Sequence, residues 1–390
     1  MERIGIYGGS FNPVHTGHIS AAQWTCHALG LSKMLLIPCN LSPGKPVPAH
    51  TPGNDRRLEM LQLAAEKYPR LEPSDLELQR GGVSYTVDTL VQLKAQYPDA
   101  ELILCVGSDA FAAFASWREP ERILQMASLA VFCRGMKGEQ QENLLIKEKL
   151  EAMGARVYLL ENPVTDISST QLRRMLTFQC ASPFLDPQVK ALIDREGLYG
   201  VNRDYRQLSM SQLEEAVVSL LKPNRVAHVL GCRDTAVELA KRWGADETDA
   251  ARAGILHDIT KALDGPLQLT LCNEYGIILD EFSTHNPKTL HALTGSLVAE
   301  RIFGENQAVV DAIRWHTTGK PNMNLLQKII YVADYMEPNR DFPGVEQLRQ
   351  LAFSDIDGAL KLGLEMTLSM LREQGRQISP ESQSALQSLC

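Results

Sequence analysis

The chain has 390 residues, a length that favours two or three domains over a single hydrophobic core. An apolar fraction of 44% is typical of globular proteins, and a net charge of −8 argues against broad electrostatic binding of nucleic acid. No apolar run reaches membrane-spanning length, no basic leader opens the chain, and the eight cysteines form no C-x-x-C pair. We therefore expect a cytoplasmic enzyme with reduced thiols that binds neither nucleic acid nor a membrane.

The first predicted elements are a strand over Arg3 to Ile6 and a helix over Ile19 to Leu29. Between them lies the segment Tyr7-Gly8-Gly9-Ser10-Phe11-Asn12-Pro13-Val14-His15-Thr16-Gly17-His18. Close packing of a helix on a strand explains the glycines but not two histidines three residues apart. Beside the free N–H groups of a helix start, this pair indicates an anion site, where glycine lets the main chain approach a phosphate.

His15-Thr16-Gly17-His18 resembles the H-x-G-H signature of the nucleotidyltransferase superfamily, and the residues before it resemble the nicotinate mononucleotide adenylyltransferase branch. The resemblance implies attack of the nicotinate mononucleotide phosphate on the α-phosphorus of ATP, with Mg²⁺ bound to the ATP. It also implies that His15 and His18 are catalytic. The implied substrate-binding residues of this segment are Gly8, Gly9, Ser10 and Phe11.

Short apolar runs alternate with helical patterns up to about Gly200. The predicted strands cover Lys33 to Pro38, Glu101 to Gly107, Ala127 to Cys133 and Arg156 to Leu160. The predicted helices cover Asp55 to Lys67, Tyr85 to Tyr97 and Gln140 to Met153. Nearly continuous apolar strands between helices predict an α/β domain with a doubly wound, Rossmann-like parallel sheet, which binds ligands at the carboxyl ends of its strands.

Several polar or aromatic residues follow the predicted strands, and the resemblance gives them substrate-binding roles. They are Lys45, Thr86, Gly107, Asp109, Trp117 and Arg134. In the family, a Gly-x-Asp segment and a tryptophan contact the pyridine nucleotide. From pattern alone, a helix cap explains Asp109 or Thr86 equally well, and Trp117 also suits a hydrophobic core. The family usually has Pro-Pro-His-Lys around Lys45, whereas this chain has Ser42-Pro43-Gly44-Lys45.

A second motif, Asp166-Ile167-Ser168-Ser169-Thr170-Gln171-Leu172-Arg173, follows the last predicted strand. Hydroxyl residues are typical of any helix start, but a helix start does not require Arg173. Together with free N–H groups, hydroxyls and a guanidinium can hold a triphosphate. The segment resembles the family's Ser-Ser-Thr-x-x-Arg motif, which implies that Ser168, Ser169, Thr170 and Arg173 bind ATP.

The pattern changes after a predicted first domain of residues 1–200 and a polar linker of residues 201–211. Residues 212–390 are predicted to form an all-α domain. Its predicted helices cover Leu213 to Leu221, Arg225 to Trp243, Ala250 to Leu263, Ser296 to Phe303, Asn306 to Trp315, Leu325 to Met336 and Asp355 to Leu371.

Six ligand-type residues lie on or beside these predicted helices: His228, His257, Asp258, His291, His316 and Asp334. A mixture of imidazoles and carboxylates suits divalent transition metals, and an adjacent His-Asp pair lets one carboxylate bridge two ions. The pattern resembles the HD-domain phosphohydrolases, and more closely a bacterial branch that splits diadenosine tetraphosphate into two ADP.

The resemblance implies a site with two metal ions, in which Asp258 bridges the ions and hydroxide attacks a phosphoanhydride phosphorus. Iron or manganese fits these ligands best, and zinc and nickel stay open as alternatives. Lys261 is predicted one helical turn after His257, where its ammonium would hold a substrate phosphate; a solvated surface lysine is the alternative.

Other interpretations stay open at this point. The first domain could transfer a nucleotidyl group to another acceptor, such as phosphopantetheine or glycerol phosphate. The second could be a non-catalytic nucleotide sensor, or could cleave another nucleotide. The sequence leaves the oligomeric state open, including a homo-oligomer.

Overall fold

A computed structural model of the chain describes residues 2–44, 46–133 and 138–389. Two of the predicted substrate-binding residues, Lys45 and Arg134, lie outside these ranges. The chain divides into two compact units, Met1–Arg203 and Asp204–Cys390. This division falls within the polar segment that the sequence predicts as a linker.

The first unit is built on one sheet of six parallel strands in the order β3-β2-β1-β4-β5-β6. The strands are β1 (Arg3–Gly9), β2 (Lys33–Pro38), β3 (Leu71–Pro73), β4 (Glu101–Gly107), β5 (Ala127–Phe132) and β6 (Val157–Leu160). The predicted α/β fold with a parallel sheet is confirmed. After β3 the chain returns to the other side of β1, so the order reverses between β1 and β4, where open parallel sheets bind ligands.

Nine α-helices accompany the sheet in the described part of this unit. They are α1 (Thr16–Ala28), α2 (Asn54–Ala65), α3 (Leu76–Arg80), α4 (Thr86–Gln96), α5 (Ser108–Ala112), α6 (Pro120–Met126), α7 (Glu139–Ala152), α8 (Ser169–Thr177) and α9 (Pro187–Glu196). Ile4 and Leu102 are buried on one face of the sheet, and Ile103 and Cys105 are buried on the other. Burial on both faces of the sheet explains why these strands have nearly continuous apolar sequences.

Residues 204–389, the described part of the second unit, contain helices and no strand, as predicted for an all-α domain. The helices are α10 (Met210–Leu220), α11 (Pro223–Trp243), α12 (Glu247–Leu256), α13 (Gly265–Glu274), α14 (Glu281–His285), α15 (Leu290–Arg301), α16 (Gln307–Trp315), α17 (Leu325–Met336), α18 (Val345–Ala352), α19 (Ile356–Glu373) and α20 (Pro380–Gln387). Within the described ranges of the whole chain, no helix combines the length and hydropathy needed to cross a bilayer.

The prediction of one helix over Ala250 to Leu263 is wrong beyond Leu256. After α12 the chain continues in turns, in which Lys261 N donates to Asp258 O at 2.9 Å. The side chain of Gln268 stabilises this turn by donating to Thr260 O at 2.7 Å. Lys261 therefore does not follow His257 on the face of one α-helix, and the turn rather than helical spacing decides where its side chain lies.

Candidate active sites

Two imidazoles stack at the start of α1. His15 is the last residue before the helix and has extended backbone angles, and His18 is the third helical residue. Their ring centroids are 3.6 Å apart and their planes are inclined by 31°. The His15 main-chain N–H donates to His18 Nδ1 at 3.2 Å. Because Nδ1 of His18 accepts this bond, a neutral His18 carries its proton on Nε2, where it can be donated to a phosphate oxygen.

The glycines of the motif leave the space that these imidazoles need. A Cβ at Gly17 would lie 3.1 Å from His15 Nδ1 and 3.3 Å from Thr165 Cβ, so a side chain there would press on the His15 ring. A Cβ at Gly8 would meet no heavy atom within 4 Å among the described residues. Open space therefore borders the main chain of β1 near its carboxyl end.

Of the other three predicted substrate-binding residues in this turn, Gly9 is half-buried, Ser10 is exposed and Phe11 is fully buried. The Phe11 ring contacts the His18 ring edge-on, with centroids 5.0 Å apart. Its φ of 43° lies in the left-handed region, which bulky residues rarely adopt. The Phe11 side chain therefore supports the His18 ring from the core side.

The second predicted motif packs directly on this turn. Arg173 Nη1 donates to Asn12 O at 2.7 Å, and Ser169 Oγ donates to Pro13 O at 3.1 Å. Arg173 Nη2 also donates to Thr170 Oγ1 at 3.1 Å. Burial lowers the pKa of the Arg173 guanidinium. The start of α8 and the start of α1 thus meet although they lie far apart in the sequence.

Ser168 has a different role from its neighbours. It is the N-cap of α8, and its Oγ accepts from Gln171 N at 3.2 Å while donating to Gln171 Oε1 at 2.8 Å. These bonds fix the first turn of the helix that carries Ser169, Thr170 and Arg173.

Arg57, which was not predicted as a site residue, holds the same turn from the β2 side. Its side chain is buried, and it donates to Ser10 O at 2.8 Å and to Cys39 O at 2.7 Å. The sequence signal for Arg57 was a charged residue within the predicted helix of residues 55–67. Its partners could not be predicted, because Ser10 and Cys39 lie far from it in the sequence.

The remaining predicted residues of this unit lie further along the sheet edge. Gly107 ends β4, next to β1, and Asp109 is exposed in the first turn of α5. Trp117 is half-buried with its ring centroid 5.4 Å from that of Phe114, and Thr86 is the first residue of α4. Because β1 and β4 are neighbours and end at the same edge, Asp109 and the histidines share that edge. The roles of these residues stay predictions.

The second unit brings all six predicted metal ligands together. His228 lies on α11, His257 and Asp258 follow α12, His291 lies on α15, His316 follows α16, and Asp334 lies on α17. Two glycines let these helices approach closely. A Cβ at Gly254 would lie 2.8 Å from Arg233 Cα of α11, and one at Gly295 would lie 3.3 Å from His257 O.

The Asp258 carboxylate lies between two pairs of imidazoles. Its Oδ2 is 3.7 Å from His228 Nε2 and 3.6 Å from His257 Nε2. Its Oδ1 is 3.4 Å from His291 Nε2 and 3.9 Å from His316 Nε2. The side chain is only 2% exposed. Each oxygen of one buried carboxylate thus faces its own pair of nitrogen atoms, an arrangement that suits two adjacent cations.

Asp334 lies beside the first pair of imidazoles, those of His228 and His257. Its Oδ1 is 3.2 Å from His228 Nε2 and 3.7 Å from His257 Nε2. Burial alone would raise the pKa of this carboxyl, but the His228 hydrogen bond, the neighbouring imidazoles and the Arg340 guanidinium outweigh it and hold the pKa well below its ordinary value. Asp334 is therefore an anion at neutral pH, the form in which a carboxylate can bind a metal ion.

Four partners orient the imidazoles so that every Nε2 points into the centre. The Nδ1 atoms of His257, His291 and His316 are 2.7, 2.9 and 2.7 Å from main-chain oxygens, and that of His228 is 3.0 Å from Glu337 Oε1. Donation from Nδ1 leaves the Nε2 lone pair free for a metal. Burial lowers the pKa of His257 and His291 well below the ordinary value and that of His316 to about 4, which keeps these imidazoles neutral.

Three cations border the same centre. Arg225 forms an ion pair with Asp258 Oδ2, and Arg340 Nη2 is 2.5 Å from Asp334 Oδ1. Lys261 Nζ is 2.9 Å from His291 Nε2 and 4.0 Å from Asp258 Oδ1, so the lysine lies at the site despite the wrong helical argument. Burial lowers the pKa of Lys261 to about 8.

Glu337 and Arg225 were not predicted as site residues. Each lies three positions from a predicted ligand, Glu337 after Asp334 and Arg225 before His228. This spacing places side chains on one helix face and was a usable signal.

Comparison with known proteins matches each unit to a different family. Residues 6–175 match the cytidylyltransferase-like family model, and residues 225–339 match the HD domain family model. A probable nicotinate-nucleotide adenylyltransferase of Desulfatibacillum aliphaticivorans is 36% identical over 217 residues, which cover 50% of this chain and 99% of that protein.

A symmetrical bis(5'-nucleosyl)-tetraphosphatase of Halalkalibacterium halodurans is 41% identical over 170 residues, which cover 42% of this chain and 90% of that protein. The crystal structure of a predicted HD superfamily hydrolase involved in NAD metabolism, from Clostridium acetobutylicum, has 36% identity and a TM-score of 0.46. The matched region covers 47% of this chain and 97% of the Clostridium acetobutylicum chain.

Proposed function

Because the chain belongs to the nicotinate-nucleotide adenylyltransferase family in its N-terminal half and to the symmetrical bis(5'-nucleosyl)-tetraphosphatase family of HD-domain proteins in its C-terminal half, we propose that it carries both activities. The first would make deamido-NAD, and the second would hydrolyse a dinucleoside polyphosphate.

In the proposed first reaction, a phosphate oxygen of nicotinate mononucleotide attacks the α-phosphorus of ATP. The bond between this phosphorus and the bridging oxygen of the β-phosphate breaks, giving deamido-NAD and pyrophosphate. No protein nucleophile is needed, because alignment and charge stabilisation supply most of the rate in such transfers. The stacked His15 and His18 at the start of α1 carry the proposal.

His18 Nε2–H would donate to the oxygens on which charge builds as pyrophosphate leaves, beside the positive end of α1. His15, Ser169, Thr170 and Arg173 would complete the anion cradle. Mg²⁺ bound with ATP would neutralise part of the phosphate charge. The contacts of Arg173 with the α1 turn support this arrangement, because they hold both helix starts in place before substrate arrives.

Product identification with a panel of acceptors tests this proposal. The protein is incubated with ATP or CTP and with nicotinate mononucleotide, nicotinamide mononucleotide, phosphopantetheine or glycerol phosphate, and the products are separated by chromatography. We expect deamido-NAD from ATP and nicotinate mononucleotide. Transfer to phosphopantetheine or glycerol phosphate alone would refute it. His18→Ala should abolish turnover, whereas His27→Ala, on the exposed face of the same helix, should not.

The second proposed activity is metal-dependent hydrolysis of diadenosine tetraphosphate to two ADP. The carboxylate of Asp258, with two imidazoles facing each oxygen, carries this proposal. His228, His257 and Asp334 would hold one ion and His291 and His316 the other, with Asp258 shared. The mixed donor set fits Fe or Mn best. Bound ions would supply Lewis-acid activation of water and of phosphoryl oxygens.

Metal analysis and product identification test the hydrolase. Purified or reconstituted protein should contain two transition-metal ions per chain and should form ADP only. Formation of AMP with ATP would contradict the symmetrical reaction, and absence of metal after reconstitution would contradict the catalytic centre. Asp258→Asn should abolish hydrolysis, while Asp234→Asn, at an exposed carboxylate on α11, should not. If Asp258→Asn altered adenylyl transfer alone, the second unit would be a sensor.

A further inference from the structure

The carboxylates that would hold metal are already paired with arginines. Arg225 lies against Asp258 Oδ2, the oxygen that also faces His228 and His257. Arg340 contacts Asp334 twice, with Nη2 on Oδ1 at 2.5 Å and Nε on the main-chain oxygen at 2.8 Å. Both guanidinium groups therefore occupy the positions next to the ligand oxygens that a cation would take.

These arginines lie on the accessible side of the centre. The side chains of Arg225 and Arg340 are 26% and 33% exposed, and that of Lys261 is 37% exposed. The four imidazoles are 8% exposed or less. A molecule that reaches the imidazoles and carboxylates from solvent thus meets a rim on which all three of these basic side chains are partly exposed.

The six charged side chains named at the centre balance one another. Asp258, Asp334 and Glu337 contribute three negative charges, and Arg225, Arg340 and Lys261 contribute three positive charges. Two divalent ions would add about four positive charges to a largely buried site, where uncompensated charge is costly. A polyphosphate chain carries a compensating charge of about this size, whereas a phosphate monoester does not.

From these contacts we propose that Arg225 and Arg340 form the binding site for the polyphosphate chain of the hydrolase substrate. With divalent ions held by Asp258 and Asp334, the two guanidinium groups would be repelled by these ions and would leave the carboxylates. The freed groups then bind phosphate oxygens in the bidentate manner for which guanidinium is suited. This inference rests on the proposed hydrolase function, and it assigns substrate contacts to two residues outside the ligand set.

Binding of a phosphate chain is measured directly. Full-length protein loaded with Mn²⁺ is titrated calorimetrically with inorganic tripolyphosphate and with a methylene-bridged, non-hydrolysable diadenosine tetraphosphate. Excess deamido-NAD occupies the adenylyltransferase site. The variants are Arg225→Met and Arg340→Met, which keep most of the side-chain volume. Arg233→Met is the matched control, because Arg233 lies on the same helix as Arg225 and pairs with Glu214 and Asp234.

We expect each of the two variants to raise the Kd for both probes about 10- to 100-fold, the size typical of a lost charged hydrogen bond. The metal content should stay at that of the wild type, and Arg233→Met should bind normally. In metal-free wild-type protein the arginines stay with the carboxylates, so tripolyphosphate should bind at least about 10-fold more weakly. Because bound ions would themselves contact phosphate oxygens, the variants carry the test. Arg225→Lys and Arg340→Lys, which keep the positive charge but lose the bidentate geometry, replace a Met variant that fails to fold and should also bind both probes more weakly than the wild type.

Wild-type affinity in both fully metal-loaded variants would overturn the proposal. So would variants that lose metal but bind tripolyphosphate normally in their metal-loaded fraction, because the arginines would then only position ligands. If the wild type binds tripolyphosphate through both arginines yet hydrolyses no dinucleoside tetraphosphate, the polyphosphate site stands and the proposed substrate falls. If the wild type hydrolyses the dinucleoside tetraphosphate and both variants keep the wild-type KM for it, the hydrolase function stands and the polyphosphate site falls.

Discussion

Replacement of Glu337 by glutamine tests how the metal centre is positioned. Glu337 is 1% exposed, and its Oε1 is 3.0 Å from His228 Nδ1. Its Oε2 accepts from the main-chain N–H and the side-chain Nδ2 of Asn339, both at 2.7 Å. The carboxylate therefore links a proposed metal ligand to the chain beyond α17. Glutamine preserves the shape but removes the charge and one acceptor oxygen.

The expected cost of Glu337→Gln follows from these contacts. If the oxygen of the new amide faces His228, its NH₂ group meets the Asn339 N–H, so two donors oppose each other. If the amide is reversed, His228 loses its acceptor and its ring is no longer held with Nε2 toward the centre. Loss of a hydrogen-bond partner of a metal-ligating histidine lowers metal affinity about 10- to 100-fold, which is about 1.4 to 2.7 kcal/mol of binding free energy. The free energy of unfolding should fall by about 1 to 3 kcal/mol, because one buried polar group is left without a hydrogen-bond partner.

Competition with a metal-binding dye measures the change in metal affinity. Denaturant unfolding of the metal-free protein measures its stability separately. Glu346→Gln is the matched control, because Glu346 is an exposed partner of Arg349. Wild-type metal affinity in Glu337→Gln would refute the positioning role of the carboxylate. An equal loss in Glu346→Gln would show that the effect is not specific to the His228 contact.

Gly17→Ala should reduce adenylyl transfer about 10-fold or more, because its Cβ would press on His15 at 3.1 Å, while thermal stability stays within about 1 kcal/mol. Normal turnover would contradict the spacing argument. The metal-free second unit should lose stability as pH falls from about 6.5 to about 4. Burial lowers the pKa of His316 to about 4, so the unfolded chain binds more protons in this window, at about 1.4 kcal/mol per pKa unit. Denaturant unfolding at several pH values checks this, and a pH-independent unfolding free energy would contradict it.

The sequence predicted the fold where burial was uniform and elements were long. Strand β2 has the predicted bounds, Lys33–Pro38, because a central strand is buried on both faces and its sequence is continuously apolar. Strand β3 was missed because Leu71–Pro73 has only three residues and pairs with β2 alone. Helix α12 was extended too far, since apolar residues continue in the buried turn that follows Leu256.

The two chemical centres were predicted as sets of residue types, not as geometry. The ligand types around Asp258 could be recognised from their order along the chain and from the adjacent His-Asp pair, but which imidazole faces which oxygen depends on how the helices pack. Contacts such as Arg57 with Ser10 O depend on a fold that brings distant residues together. The same limit applies to the pair of Arg225 with Asp258, because Asp258 lies in the turn that follows another helix, α12.

Assay of both activities in His18→Asn and in Asp258→Asn tests most directly whether one chain contains two independent active sites. We expect His18→Asn to lower deamido-NAD formation about 100-fold or more while ADP release from diadenosine tetraphosphate stays normal. Asp258→Asn should abolish ADP release and leave deamido-NAD formation unchanged. If either substitution abolished both reactions in a folded protein, or if neither affected its own reaction, the assignment of the two activities to these two sites would be wrong.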